Sequence, residues 1–247
     1  IFNIHHIASD LISNRIFFDE LTTLYIAYKD DLESPLQPLE LQYIDFSVWQ
    51  REHLEDTQLR LQEDYWQTKL KGIKPIELPI DKRRPAMQTY NGHRVDFAFS
   101  EDLTRDIKAL SHAQGVTVFM TLLAGFKVML SRYSSQSDVI VGTPVSNRNR
   151  SELEGLIGFF VNTVALRSHV SGGLTFTELL QSIRKSTTEA FSNQDVSFEK
   201  VVEIVQPVRS LNRSPIFQVM LTYENATATT KSSEQSIVKP FDFDFFA

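Results

Sequence analysis

The sequence predicts a mixed α/β fold, and three observations carry that expectation. Long amphipathic stretches recur along its 247 residues, with apolar side chains three and four positions apart, the spacing of a helix that buries one face. Between them stand short apolar runs such as Val139-Ile140-Val141-Gly142, whose length and branched side chains suit buried strands. Helix-start signals precede several of the long stretches, the clearest being Thr175-x-x-Glu178, which fits a capping box.

Taken in order, Ile1 to Ile4 reads as a strand that enters a polar turn, His5 to Asp10. A helix follows, with Ile12, Ile16, Phe17, Leu21, Leu24, Tyr25 and Tyr28 on one face. Ser34-Pro35-Leu36-Gln37-Pro38 breaks it. A second helical stretch runs from about Tyr43 to Lys71 through Trp49, Leu54, Leu61, Tyr65, Trp66 and Leu70, with Gly72 as its stop. Ile73 to Asn91 is a basic, proline-bearing connector and the best candidate for an interlobe linker.

A strand is expected over His93 to Phe99, then helices over Asp102 to Gln114 and Thr117 to Tyr133. The second of these is apolar nearly all round, as a core helix is. Strands are expected at Val139 to Gly142, at Phe159 to Arg167 and at Ile216 to Tyr223. A helix should run from Thr175 to about Phe191, and Ser197 should cap a short helix that closes near Pro207. Asn225 to Ser236 is polar and of low complexity, the character of a loop. Phe241-Asp242-Phe243-Asp244-Phe245 alternates as a half-buried strand does. Both ends look cut through strands, so the chain reads as a fragment.

The net charge of −6 argues against a nucleic-acid binder, which normally carries a basic excess. Lys82-Arg83-Arg84 and Arg148 to Arg150 are too short for a polybasic arm. Cysteine is absent, which excludes disulfides, thiolate nucleophiles and cysteine-ligated metals. No apolar run reaches membrane-spanning length and no signal peptide is visible. The cytoplasm is therefore the expected compartment.

Chemistry concentrates in His5-His6-Ile7-Ala8-Ser9-Asp10. Histidine moves protons near neutral pH and is the commonest general base. A turn between strand and helix can present it to a cleft. The residues alone admit a plainer reading, with His5 packed inside, His6 on the surface and Asp10 capping the helix. His53, His93, His112 and His169 show no metal-ligand spacing with this turn.

The turn resembles the His-His-x-x-x-Asp-Gly signature of condensation domains of nonribosomal peptide synthetases, members of the chloramphenicol acetyltransferase-like superfamily. Four further stretches resemble that family's motifs in its order. Tyr43-Ile44-Asp45-Phe46-Ser47-Val48-Trp49 is similar to Tyr-x-Asp-Phe-Ala-x-Trp. Ile157-Gly158-Phe159-Phe160-Val161-Asn162-Thr163 is similar to Gly-x-Phe-Val-Asn-Thr. Asn193-Gln194-Asp195-Val196-Ser197-Phe198-Glu199 resembles His-Gln-Asp-x-Pro-Phe-Glu. Arg209 to Met220 resembles Arg-x-x-Ser-Arg-x-Pro-Leu-Phe-Gln followed by its strand.

The resemblance implies two acetyltransferase-like lobes in a V. Residues 1–90 would be the rest of a truncated first lobe plus linker, and residues 91–247 an incomplete second lobe. It implies amide formation between a donor acyl or peptidyl thioester and an acceptor aminoacyl thioester. Upstream and downstream peptidyl carrier domains would deliver both on 4′-phosphopantetheine arms, beside a neighbouring adenylation domain. The domain itself would bind no cofactor and no metal, and the fragment alone would be inactive. His6 would be the active-site histidine, with His5 supporting it and Asp10 tying the turn down through an arginine, for which Arg148 is the candidate. Ser9 and Leu11 would flank the pantetheine path, Leu11 standing where the family has glycine. Asn162 and Thr163 would shape the tunnel, with core packing as an equal alternative. Tyr43, Asp45 and Trp49, and Gln194 and Asp195, would be scaffold. The alternatives are a degenerate docking module, an epimerisation domain or a free-standing acyltransferase.

Overall fold

Seven helices and two paired strands appear among the described residues of the computed structural model, which are 2–53, 57–89, 91–208 and 210–224. Ile1, Leu54, Arg209, the loop expected at Asn225 to Ser236 and the strand expected at Phe241 to Phe245 lie outside them. The chain divides into two compact units whose boundaries cut across its linear order. Of the described residues, one holds those within 2–60 and 145–162 together with 224; the other holds those within 61–144 and 163–223.

In the first unit a single 3₁₀ turn, His6–Ala8, leads into α1 (Leu11–Lys29). Asp10 caps α1, its carboxylate accepting the Ser13 backbone N–H at 2.8 Å. α2 (Tyr43–His53) starts where Asp45 Oδ2 accepts the Gln42 N–H at 2.8 Å. Phe46 from α2 packs with Leu153, Leu156 and Phe160 from the returning segment, and Tyr43 closes the cluster. Arg148 lies with its guanidinium 4.0 Å from the centre of the Phe160 ring.

α3 (Thr57–Lys69) begins in the first unit and runs into the second. The helical stretch expected from Tyr43 to Lys71 is seen as α2 and α3, with residues 54–56 between them outside the described set. After α3 the chain turns at Gly72, whose φ of +67° suits a residue without a Cβ. Residues 73–89 form neither helix nor strand, yet they are tied down. Ile76 N–H donates to Gln218 Oε1 at 3.0 Å, and Glu77 pairs with Arg213 through both carboxylate oxygens.

The core of the second unit is built on α4 (Glu101–Ala113), α5 (Val118–Ser134) and α6 (Phe176–Ser192), with a two-stranded sheet of β1 (Asp138–Val145) and β2 (Asn162–His169). Leu123 and Ala124 of α5, Val139 and Val141 of β1, Val164 and Leu166 of β2 and Leu180 and Ile183 of α6 are all buried. α5 packs against α4 and α6. The Thr175–Glu178 capping box closes in both directions, and Ser197 caps α7 (Phe198–Val205).

Three expected strands do not form among the described residues. Phe2 to Ile4 join no ladder, and Phe2 instead stacks on Phe17 at 4.6 Å. Residues 93–99 join none either, leaving Val95 and Phe97 about four-fifths exposed, at 78% and 80%. A period-two pattern makes a strand only where a neighbour supplies hydrogen bonds. Over Ile216 to Tyr223 the chain makes one parallel bridge, Met220 to Gly142. Ile216 holds a left-handed φ of +66° just after Pro215, which breaks the extended run.

Among the described residues no single helix is long and apolar enough to cross a membrane, and no group of three or more acidic, histidine or cysteine side chains could hold a metal.

Candidate functional site

The turn His5–Asp10 is shaped by its own short-range bonds. His5 Nδ1 accepts the Ile7 N–H at 3.1 Å, and Ala8 N–H donates to the His5 carbonyl at 2.9 Å. His6 lies 2.7 Å through Nδ1 from the carbonyl oxygen of Ser9. A carbonyl only accepts, so Nδ1 carries the proton and Nε2 of the neutral ring keeps its lone pair. His6 is exposed, and its ring stands nearly perpendicular to that of Phe159, centroids 5.2 Å apart. The geometry thus offers a solvent-reachable imidazole with a defined tautomer, the form a general base requires.

Beneath the turn lies a buried polar knot. Asp10 and Ser9 are each 3% exposed. Ser9 Oγ donates to Asn14 Oδ1 at 2.6 Å. Asp10 accepts from Ser13 N–H, from Phe160 N–H at 3.1 Å and from Arg148 Nη2 at 3.2 Å. Arg148 Nη1 donates to the carbonyls of Leu153 and Leu156, and its Nη2 also donates to Ser13 Oγ at 2.8 Å. Burial pushes the Asp10 carboxyl up. The Ser13 hydrogen bonds, the Arg148 charge and the Phe160 N–H together outweigh it and hold the group below its ordinary value. Asp10 is therefore both the helix cap and the partner of Arg148.

The segment 158–160 is fastened at three successive residues. Gly158 N–H donates to Ser13 Oγ at 3.0 Å, and that hydroxyl donates back to the Gly158 carbonyl at 2.8 Å. Tyr43 Oη donates to the Phe159 carbonyl at 2.9 Å. Phe160 N–H goes to Asp10. The Tyr43 ring lies directly against Gly158, where any Cβ would collide with it. Burial, reinforced by the Asp10 charge, raises the Tyr43 phenol, which keeps it a neutral donor.

Leu11, where the resembled family has glycine, is the first residue of α1 and is 42% exposed. It is not among the residues with left-handed φ. The backbone at this position therefore does not demand glycine. Asn162 and Thr163 occupy the first two positions of β2 and are half-buried. Gln194 is half-buried. Asp195 exchanges two hydrogen bonds with Gln62, at 2.8 Å and 3.2 Å, before α7. Asp45, in the first turn of α2, accepts the N–H of Gln42 just before the helix, and Trp49 lies under the Arg150 guanidinium at 4.8 Å.

Sequence reasoning passes over two residues of this site. Ser13 is fully buried and bridges Gly158 and Arg148, but in sequence it is a small polar residue on a helix. Phe159 reads in sequence as part of a strand and of the stretch resembling Gly-x-Phe-Val-Asn-Thr, with nothing to pair it with His6; it precedes β2 and faces His6.

The family model described as "Condensation domain" matches residues 1–246. The chain is similar to malpinin synthetase of Mortierella alpina, with 46% identity over 244 residues, 98% of this chain and 3% of that protein. It is also similar to a linear gramicidin synthase of Brevibacillus parabrevis, with 43% identity over 248 residues, 100% of this chain and 5% of that one. The chain thus spans only a few hundredths of the length of these relatives. Among solved structures, the X-domain from teicoplanin biosynthesis matches with a TM-score of 0.81 and 28% identity, over 88% of this chain and half, 50%, of that one. The mixed fold of helices and a small sheet is the chloramphenicol acetyltransferase-like α/β fold of condensation domains. The matched model, the relatives and the fold agree, and the chain belongs to the condensation-domain family.

Proposed function

We propose that this domain forms an amide bond between two carrier-bound substrates. The acceptor amine attacks the carbonyl of the donor thioester, a C–N bond forms and the C–S bond breaks. The donor's pantetheine sulfur leaves as the thiol, taking up a proton, and the lengthened chain remains on the acceptor carrier. The observation that carries this reading is the His6 imidazole, with Nδ1–H held on the Ser9 carbonyl. That leaves Nε2 to take the proton the amine loses. The residues of this chain supply the base and the scaffold. The phosphopantetheine arms are part of the substrates and arrive on upstream and downstream carrier domains, with an adenylation domain as neighbour. Matches to synthetases many times longer than this chain support such partners.

Asp10 and Arg148 hold the turn in shape. Leu11, exposed at the start of α1, borders the substrate path, Ser9 supports it from beneath through its carbonyl on His6, and Asn162 and Thr163 at the start of β2 are assigned to shaping the path or to packing. General-base assistance contributes about 10²–10⁴-fold, while positioning two tethered substrates can contribute more, about 7–11 kcal/mol. The test is single-turnover amide formation between two aminoacyl-loaded carrier proteins, using the native chain that carries this domain. His6→Ala should slow it by about 10²–10⁴-fold, and an unchanged rate removes His6 from the mechanism.

A second reading is a recruitment module that makes no amide. It draws on Leu11 in the glycine position and on the likeness to the teicoplanin X-domain, a domain also described in complex with OxyB. The same assay separates the two, since a recruitment module forms no amide even with His6 intact.

A further inference from the structure

The Nδ1 bond to Ser9 fixes which nitrogen of His6 carries the proton, but that bond alone leaves the ring free to swing about it. The Phe159 ring stands against the imidazole, perpendicular to it at 86° with centroids 5.2 Å apart, a favourable aromatic arrangement. Phe159 is unusually well fixed for a residue 37% exposed. The residue before it is bonded through both N–H and carbonyl to Ser13 Oγ, its own carbonyl accepts from Tyr43, and the next N–H is held by Asp10. Asp10 and Ser13 belong to the cap and first turn of α1, which continue directly from the histidine turn. The backbone carrying Phe159 and the backbone carrying His6 are thereby locked to one another within a single unit.

We propose that Phe159 is a positioning residue for the His6 base, its ring setting the plane in which Nε2 meets the acceptor amine. This rests on the amide-forming reading above. Phe159 touches no reacting atom in this scheme; it acts through His6. The knot of Asp10, Ser13 and Tyr43 then has a function beyond stability, because it sets the height of that aromatic wall.

Phe159→Leu keeps apolar bulk and removes the ring, while Phe159→Tyr keeps the ring. In single-turnover amide formation by the native chain carrying this domain, Phe159→Leu should lower the maximal rate by about 10- to 100-fold. Half-saturation by the acceptor carrier should stay unchanged, and Phe159→Tyr should restore most of the loss. In a His6→Ala background, Phe159→Leu should cost nothing further. An equal loss in both backgrounds overturns the proposal, since Phe159 would then act on something other than His6. Nitrogen NMR of the imidazole supplies a readout independent of turnover. The parent should show one sharp set of imidazole signals, protonated at Nδ1, and Phe159→Leu should keep that tautomer but broaden the signals as the ring swings about the Ser9 bond; signals that stay equally sharp in that variant also overturn the proposal. If His6→Ala leaves the rate untouched, the amide-forming role of His6 is lost, and the NMR comparison still decides whether Phe159 orients the ring. Thermal melts of the leucine and tyrosine variants separate misfolding from mispositioning.

Discussion

Asp10→Asn changes one atom and should destabilise the first unit severely. The side chain keeps its shape, and Oδ1 can still accept the Ser13 N–H at the helix start. Its new amide NH₂, in place of Oδ2, then faces the Phe160 N–H at 3.1 Å and lies 3.5 Å from Arg148 Nη2, whose shorter contact, 3.2 Å, is to the retained Oδ1. Arg148, its side chain 3% exposed, is left as a buried cation without its counter-charge, its remaining partners all neutral: the retained Oδ1, the Leu153 and Leu156 carbonyls, the Ser13 hydroxyl and the Phe160 ring. Breaking a buried ion pair by removing one charge costs about 3–5 kcal/mol, and the lost Phe160 bond falls within that range rather than adding to it. The assay is urea unfolding of parent and variant across pH. The folded Asp10 carboxyl titrates below its ordinary value of 3.8, so its contribution is fully present above that pH and is lost as pH falls through the lower, folded value. The gap between parent and variant should therefore be about 3–5 kcal/mol at neutral pH and narrow in strong acid. Pairing Asp10→Asn with Arg148→Met should recover much of the loss, because both buried charges are then gone. A neutral-pH gap under about 1 kcal/mol, the size of a surface pair, or a gap that does not narrow in acid would refute the buried-pair account.

Two further perturbations test other parts of the fold. Lys127 is fully buried in the second unit, its Nζ donating to the Leu166 carbonyl at 2.7 Å and to Ser168 Oγ at 2.8 Å. Burial, and then the nearby Lys69 charge, bring its pKa down to about 7, against a smaller opposing pull from Asp138. The unfolded chain then holds one more proton between about 7 and the ordinary 10.5, so the parent should gain stability as pH rises through that window, by at most about 5 kcal/mol. Lys127→Met should flatten this rise in urea unfolding, and equal slopes would refute it. Gly158→Ala places a methyl against the Tyr43 ring, which is anchored at Phe159 and packed on Phe160. It should cost about 1–3 kcal/mol by overpacking and less in a Tyr43→Ala background, both read from thermal melts; an unshifted melt in Gly158→Ala would show that the close approach is not required.

What the sequence disclosed and what it concealed divide by distance along the chain. The cap at Asp10, the box at Thr175 and Glu178 and the cap at Ser197 each rest on residues within four positions, and all are readable. The strands expected at 93–99 and 216–223 depend on neighbours that a period-two pattern cannot specify. The interleaving of the two units is hidden for the same reason, since nothing local to residues 145–162 says that they return to the first. Asp10 and Arg148 are 138 positions apart, and only the resemblance of the flanking motifs brings them together in advance. Ser13 has no such help and stays invisible, although it sits 145 positions from the glycine it holds. Yet the two ends of this knot explain each other once they meet. Gly158 must lack a Cβ because Tyr43 lies on it, and Tyr43 lies there because its hydroxyl reaches the carbonyl of Phe159. Phe160 then turns its N–H onto the carboxylate that caps the helix after the histidines. A motif around residue 10, another around 43 and a third around 158 are thus one structural statement written in three places. Its consequence is that the His6 imidazole, bonded through Nδ1 to the Ser9 carbonyl, stands 5.2 Å from the Phe159 ring.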